Sequence, residues 1–322
     1  MIVYKSTDAS APVITNANGS LIALLYACLV TGYGSKAGAG WTRAFTGTNL
    51  AAFRQGSGGN SRVLRVFDGG NDAYGHRRVM LRGYENMTAI STGTGPFPTT
   101  GQINGNGADF TYRHSSTVTA PYWELYASSS FFCLIVATYP DNGPTVFWEY
   151  MSFGTFFSYK PGDTFNDVLI CNQNNTSSGG WSGQTLGEAP DPGYSIGVYV
   201  CRSDSGTAGA RMGFIASPTA TFSYIGQGSN FFPYPDRPTG GLLQAQPDLW
   251  ADGYRRGRIP GLWTTYHLPT AMSYDSSLAS ATTWSGAVGS TLAGRTFKMI
   301  GPLAQSAYSG GYPTIETSNT WD

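Results

Sequence analysis

At 322 residues the chain is long enough to bury one large core or two modest ones, so it needs neither metal nor disulfide to fold. Charged residues make up only 12% while aromatics reach 14% and glycines number 43, which excludes intrinsic disorder and fits an all-β extracellular or assembly protein. Nineteen basic residues balance nineteen acidic ones, so overall charge gives no reason to expect a nucleic-acid or anionic-membrane partner.

Residues 2–4 read as a short strand. The unbroken apolar run at 21–30 lies between Ser20, a good N-cap, and Gly32, a good C′ residue, which predicts one buried helix of about three turns. That run is shorter than the ~20 apolar residues a bilayer span requires. It also makes a poor signal peptide, because twenty mixed residues including Asp8 precede it, so synthesis and folding in a cytoplasm are expected. Segments 41–46, 50–55, 62–68 and 77–84, separated by Gly, Asn and Ser clusters, predict a β meander packed on the helix, with a helical turn at 85–90. Residues 91–107 are rich in Gly, Thr and Pro and read as a linker or long surface loop that continues no regular element. The expected organisation is helix plus meander at 1–91, linker at 92–118 and a β-rich region at 119–322, with one continuous domain as the alternative.

Strands are expected at 122–127, 131–139 and 145–153, and the run 131–137 has too few polar positions to be half exposed, so it should be a central strand buried on both faces. Three more are expected at 165–171, 194–201 and 211–216, with a polar loop at 172–192 that carries Trp181, and others around 262–267 and 295–300. The fold class is mainly β, α+β at the N-terminus: a meander on one short buried helix, then a β-sandwich or open-barrel-like region.

Residues able to carry chemistry are sparse. Glu124 and Glu149 each lie beside a tryptophan on a predicted strand, and a glycosidase needs two such acids with aromatic platforms near them. Ordinary outward-facing positions on alternating strands are the preferred reading of both. The segment 180–184 (GWSGQ) lacks the last glycine of a nucleophile elbow, and Asp109, His114 and Ser115 are neighbours only along the chain. The other histidines are His76 and His267. Cys28, Cys133, Cys171 and Cys201 form no C-x-x-C, which argues against zinc and favours buried free thiols over a disulfide. The glycine-rich segment 32–40 contains Ser35 and Lys36 but follows a helix, the wrong order for a phosphate loop. No catalytic, cofactor or metal site is expected.

Two surface candidates stand out. Between 36 and 82 there are eight basic residues against two acidic, net +6, whereas 84–254 has thirteen acidic against five basic, net −8. Arg62, Arg65, Arg77, Arg78 and Arg82, together with Arg255, Arg256 and Arg258, are therefore the expected face toward an acidic partner, unless they simply line a solvated sheet. Trp181, Phe231, Phe232 and Tyr234 lie in loop-like sequence and are candidate contacts to a glycan or a protein.

Several blocks resemble a family of uncharacterised virion structural proteins of tailed bacteriophages that infect Gram-negative hosts. They include Val3-Tyr4-Lys5-Ser6-Thr7-Asp8, Gly32-Tyr33-Gly34-Ser35-Lys36, Phe53-Arg54-Gln55-Gly56, Phe157-Ser158-Tyr159-Lys160-Pro161-Gly162-Asp163 and Pro260-Gly261-Leu262-Trp263, and they run from end to end of the chain. The resemblance implies a non-enzymatic virion component, assembled in the host cytoplasm with other virion proteins and copies of itself. Tail or baseplate is the first placement expected and capsid decoration the second. A host-glycan receptor-binding module and a virion glycosidase are the remaining alternatives.

Overall fold

A computed structural model describes residues 1–71, 77–103, 107–112, 120–138, 147–171, 197–203, 211–215, 222–224, 244–265, 283–285, 292–299, 312–318 and 321. In chain order, β1 (Ile2–Lys5) precedes α1 (Ser20–Tyr26), which widens into a π-helical turn at Ala27–Thr31. There follow β2 (Thr42–Gly47), β3 (Leu50–Arg54), β4 (Val63–Asn71), β5 (Arg77–Ala89), β6 (Thr92–Phe97) and β7 (Ala108–Tyr112). Next come β8 (Trp123–Ala127), β9 (Phe131–Thr138), β10 (Phe147–Thr155), β11 (Phe157–Ser158), β12 (Asp167–Cys171) and β13 (Gly197–Val200). The last strands are β14 (Arg211–Ile215), β15 (Phe222–Tyr224), β16 (Gln244–Ala245), β17 (Asp248–Ala251), β18 (Tyr254–Arg258), β19 (Leu262–Thr265), β20 (Thr283–Ser285), β21 (Thr296–Met299) and β22 (Tyr312–Glu316).

Every strand pairing among the described residues is antiparallel, and the four sheets stack without any of them closing into a barrel. The six-stranded sheet β1-β8-β9-β10-β12-β13 is the central layer. Its middle strand β9 is buried from Phe131 to Ala137, as the unbroken apolar run predicts. Phe132, Leu134 and Val136 face one way, into a core shared with Leu21, Leu24, Leu25 and Leu29 of the helix, and with Phe53, Leu64, Val66 and Leu81 of the sheet β2-β3-β4-β5-β6. Phe131, Cys133, Ile135 and Ala137 face the other way, against Leu249, Ala251, Ile259, Leu262 and Ile315 from the two C-terminal sheets. Alternation along one strand thus feeds two cores, each worth roughly 1.5–3 kcal/mol per large side chain buried.

Three expectations need correcting. Ser20 does not cap the helix: Gly19, at φ 81, holds that position, and the Leu21 N–H is received instead by Asp68 Oδ2 at 2.8 Å. Residues 85–90 form no helical turn, because β5 runs on to Ala89 over 13 residues. The expected linker at 92–118 contains β6 and β7, which share one edge of β5, β6 along residues 83–89 and β7 along 77–81. The glycines there serve close packing: a Cβ on Gly95, at φ +58, would come within 2.4 Å of the Glu85 side chain. β1 lies apart from the meander and pairs with β8 in the central sheet.

Candidate interaction surface

The hairpin of β17 and β18 turns at Asp252 and Gly253, with φ of 56 and 79, the left-handed pair that tight hairpins demand. A register shift between Leu249 and Trp250 lets Arg255 and Arg258 both reach Asp248. β11 adds to the outer edge of β18, with Phe157 opposite Arg258 and the Tyr159 N–H donating to the Arg256 carbonyl at 2.9 Å. Among the described residues, four large hydrophobic side chains are exposed, and three of them belong to this edge: Phe157 (39%), Tyr159 (43%) and Tyr254 (73%).

Tyr159 is the centre of the surface. Its hydroxyl donates to Asp248 Oδ1 and receives the Arg258 Nε–H at 2.6 Å, while Arg255 Nη2 meets Asp248 Oδ2 at 2.5 Å. The guanidinium carbons of Arg255 and Arg258 lie 5.2 and 5.6 Å from the ring centroid, within cation–π range. Partial burial, then the bond to Asp248, push the phenol above its ordinary pKa, so the group stays a proton donor and is no nucleophile at neutral pH. Arg256 is more enclosed and lies 3.8 Å from Asp163 and 3.7 Å from Asp252. The arrangement is a fixed aromatic and guanidinium plate with its polar atoms aligned by one nearly buried carboxylate.

Most of the other predicted basic residues behave differently, although the Arg78 side chain is about as exposed as those of Arg255 and Arg258. Arg77 is 1% exposed and bound to Asp68, and Arg82 is 8% exposed, so neither presents a side chain to a partner. Arg62 turns inward to Asp167 at 3.2 Å and to the Thr164 carbonyl at 2.6 Å. Arg78 holds Asp109 at 2.6 Å, and Arg65, half-buried, stands opposite Arg82 across β4 and β5. Two arginines of the basic segment are met by carboxylates of the acidic one, Arg62 by Asp167 and Arg78 by Asp109, so part of the charge separated along the chain is paired in the fold.

Glu124 and Glu149 do not form a catalytic pair. Glu124 lies opposite Ile135 and Glu149 opposite Val136, so their side chains leave opposite faces of the central sheet. Glu124 is fully buried and receives Tyr122 Oη at 2.5 Å, the Tyr126 hydroxyl and Lys298 Nζ at 2.6 Å. It ties β8 to β21 across the second core. All four cysteines are buried and free, and burial pushes each thiol above its ordinary pKa. Trp181, Phe231, Phe232, Tyr234, His76, His114, Ser115 and His267 lie outside the described residues. No group of three or more metal-ligating side chains occurs among the described residues.

Two of the sequence blocks noted above meet at Asp8. Its Oδ2 receives the Lys5 N–H at 2.7 Å, Tyr33 Oη at 2.8 Å and Lys36 Nζ at 2.5 Å, and Lys36 Nζ also reaches the Val3 carbonyl at 2.6 Å. Tyr4 Oη completes the junction by donating to the Ala37 carbonyl at 2.7 Å. Lys36, the residue that invites a phosphate-loop reading, is thus a tether between β1 and the exit of the helix. In comparisons with known proteins, no family model matches the chain and no curated protein matches it.

Proposed function

We propose that this chain is a non-enzymatic structural subunit of a tailed-phage virion, placed at the tail or baseplate and joined to its neighbours through protein–protein contacts. The observation that carries the reading is the edge formed by β11 and β18, where Phe157, Tyr159 and Tyr254 stand exposed beside Arg255 and Arg258. Tyrosine, phenylalanine and arginine are the residue types enriched where protein surfaces meet, because they combine large apolar area with few rotatable bonds or with a fixed fork of donors. The end-to-end resemblance to phage virion proteins supplies the setting.

Immunogold electron microscopy of intact particles of the encoding phage, with antibody raised against the recombinant chain, tests this. Label at the tail tip supports the placement. Label over the head transfers the subunit to capsid decoration, and absence of the chain from purified particles by mass spectrometry overturns the proposal.

A further inference from the structure

A second feature lies beside the aromatic edge, where loops of the N-terminal, central and C-terminal layers converge on a cleft of about 540 Å³. That volume falls within the roughly 300–1,000 Å³ of small-molecule sites. One wall is the loop that follows β11, another is the turn between β8 and β9, and Trp321 with Pro260 forms a third. We propose that this cleft binds a mono- or disaccharide segment of a glycan.

A sugar ring has an apolar C–H face and a rim of hydroxyls, so its site needs an aromatic surface and polar groups held together at short range. Trp321 and Phe157 supply aromatic surface in the cleft. The indole is fixed rather than mobile: its Nε1–H donates to the Glu316 carbonyl at 2.9 Å, and it stacks on Tyr126 at 6.4 Å and meets the Phe131 ring edge-on at 5.9 Å. Gly261 makes its seat possible, since a Cβ there would lie 2.3 Å from the indole. Ser130, Ser158, Lys160 and Asp163 provide the polar rim.

The rim is ordered before any ligand arrives. Ser158 Oγ donates to Asp163 Oδ2 at 2.8 Å and receives the Lys160 N–H at 3.1 Å. The Asp163 N–H closes onto the Lys160 carbonyl at 3.2 Å, and Asp163 Oδ1 receives the Phe165 N–H at 3.0 Å. Across the cleft, Ser128 Oγ holds the N–H groups of Ser130 and Phe131 at 3.3 and 3.1 Å. A wall already fixed by its own bonds loses little freedom on binding, which is what a weak polar ligand requires. The Lys160 ammonium and the Asp163 carboxylate oppose each other on one loop and Arg256 lies 3.8 Å from Asp163, so the named groups sum to one positive charge and do not disfavour an acidic sugar.

The test is to probe the purified full chain against a printed panel of neutral and acidic microbial polysaccharides, then to measure saturation-transfer NMR with a disaccharide released from any that bind. Capture of at least one polysaccharide is expected, with affinity reduced tenfold or more by Phe157→Ala and by Trp321→Ala and unchanged by Tyr254→Ala. Because Trp321→Ala also removes core contacts, Phe157→Ala, at a partly exposed position, is the deciding variant. Failure of every polysaccharide to bind, or binding that Phe157→Ala leaves intact, overturns the proposal. Neither result depends on where the chain resides in a particle.

Discussion

Arg77 and Asp68 form a buried ion pair, Nε to Oδ1 at 2.6 Å, that fastens the start of the helix to the N-terminal sheet. Asp68 turns its other oxygen to the Leu21 N–H at 2.8 Å, one of the donors that a helix start leaves unsatisfied. Arg77 spends its remaining donors on the Asp68 carbonyl, on Asn18 Oδ1 at 2.7 Å and on Asn71 Oδ1 at 3.2 Å. Removing the arginine leaves a carboxylate buried without its counter-charge. Arg77→Met is therefore expected to lower unfolding free energy by about 3–5 kcal/mol in urea titration. A loss below about 1 kcal/mol would show that Asp68 finds another partner or water.

The Glu124 and Lys298 pair makes a pH prediction. Burial lowers the Lys298 pKa below its ordinary 10.5, and attraction to Glu124 only partly opposes this. The folded state then binds fewer protons than the unfolded one in the window just below 10.5, so stability contributed by this site rises as pH climbs through that window. Chemical denaturation of wild type and Lys298→Met between neutral pH and about pH 10 checks it. The gap between the two proteins should move in favour of wild type with increasing pH, and a flat or opposite trend would refute the assignment.

Asp8 gives a slope of the same sign at the acid end of the scale. Partial burial raises its pKa, but the bonds from Lys36, the Lys5 N–H and Tyr33 outweigh burial and hold the carboxyl below its ordinary 3.8. Its contribution is complete above 3.8 and disappears as pH falls through the folded value. Lys36→Met removes the largest of those stabilising bonds, so the variant should lose less stability than wild type on acidification below that point. Thermal melts from pH 6 down to the acid limit, compared between the two proteins, give the answer.

The parts of the fold legible in sequence are those written in a local pattern. The run from Phe131 to Ala137 could only be a two-faced strand, and the apolar run after Ser20 could only be a buried helix. What escaped depends on partners distant along the chain. Nothing near Ser20 shows that Asp68, forty-seven residues away, receives the Leu21 N–H, or that an Arg in an alternating strand is fully enclosed. β6 was masked by its glycines, which look like loop until Glu85 and Tyr84 are seen packed over them. The surface was legible only in part. Arg255, Arg256 and Arg258 stood out, whereas Phe157, Tyr159 and Tyr254 were not among the surface candidates, because the edge they form depends on β11 pairing with β18.

The exposed edge is best challenged with variants that bring no new negative charge to Asp248. Reversing Arg255 and Arg258 to glutamate puts two carboxylates beside one that is only 9% exposed, so a fall in particle incorporation could reflect unfolding rather than a lost contact. Tyr254 is 73% exposed, and cutting it to alanine should change stability by no more than about 0.5 kcal/mol. If the edge meets a neighbouring subunit, Tyr254→Ala and Arg258→Gln should each reduce copy number in purified particles, quantified by mass spectrometry, while the melting temperature of the isolated chain stays near wild type. Arg258→Gln keeps a donor for the Tyr159 hydroxyl and removes the charge together with the Nη groups, so its effect separates guanidinium recognition from support of the tyrosine. Unchanged copy number in both variants would remove this edge from the proposed subunit contacts.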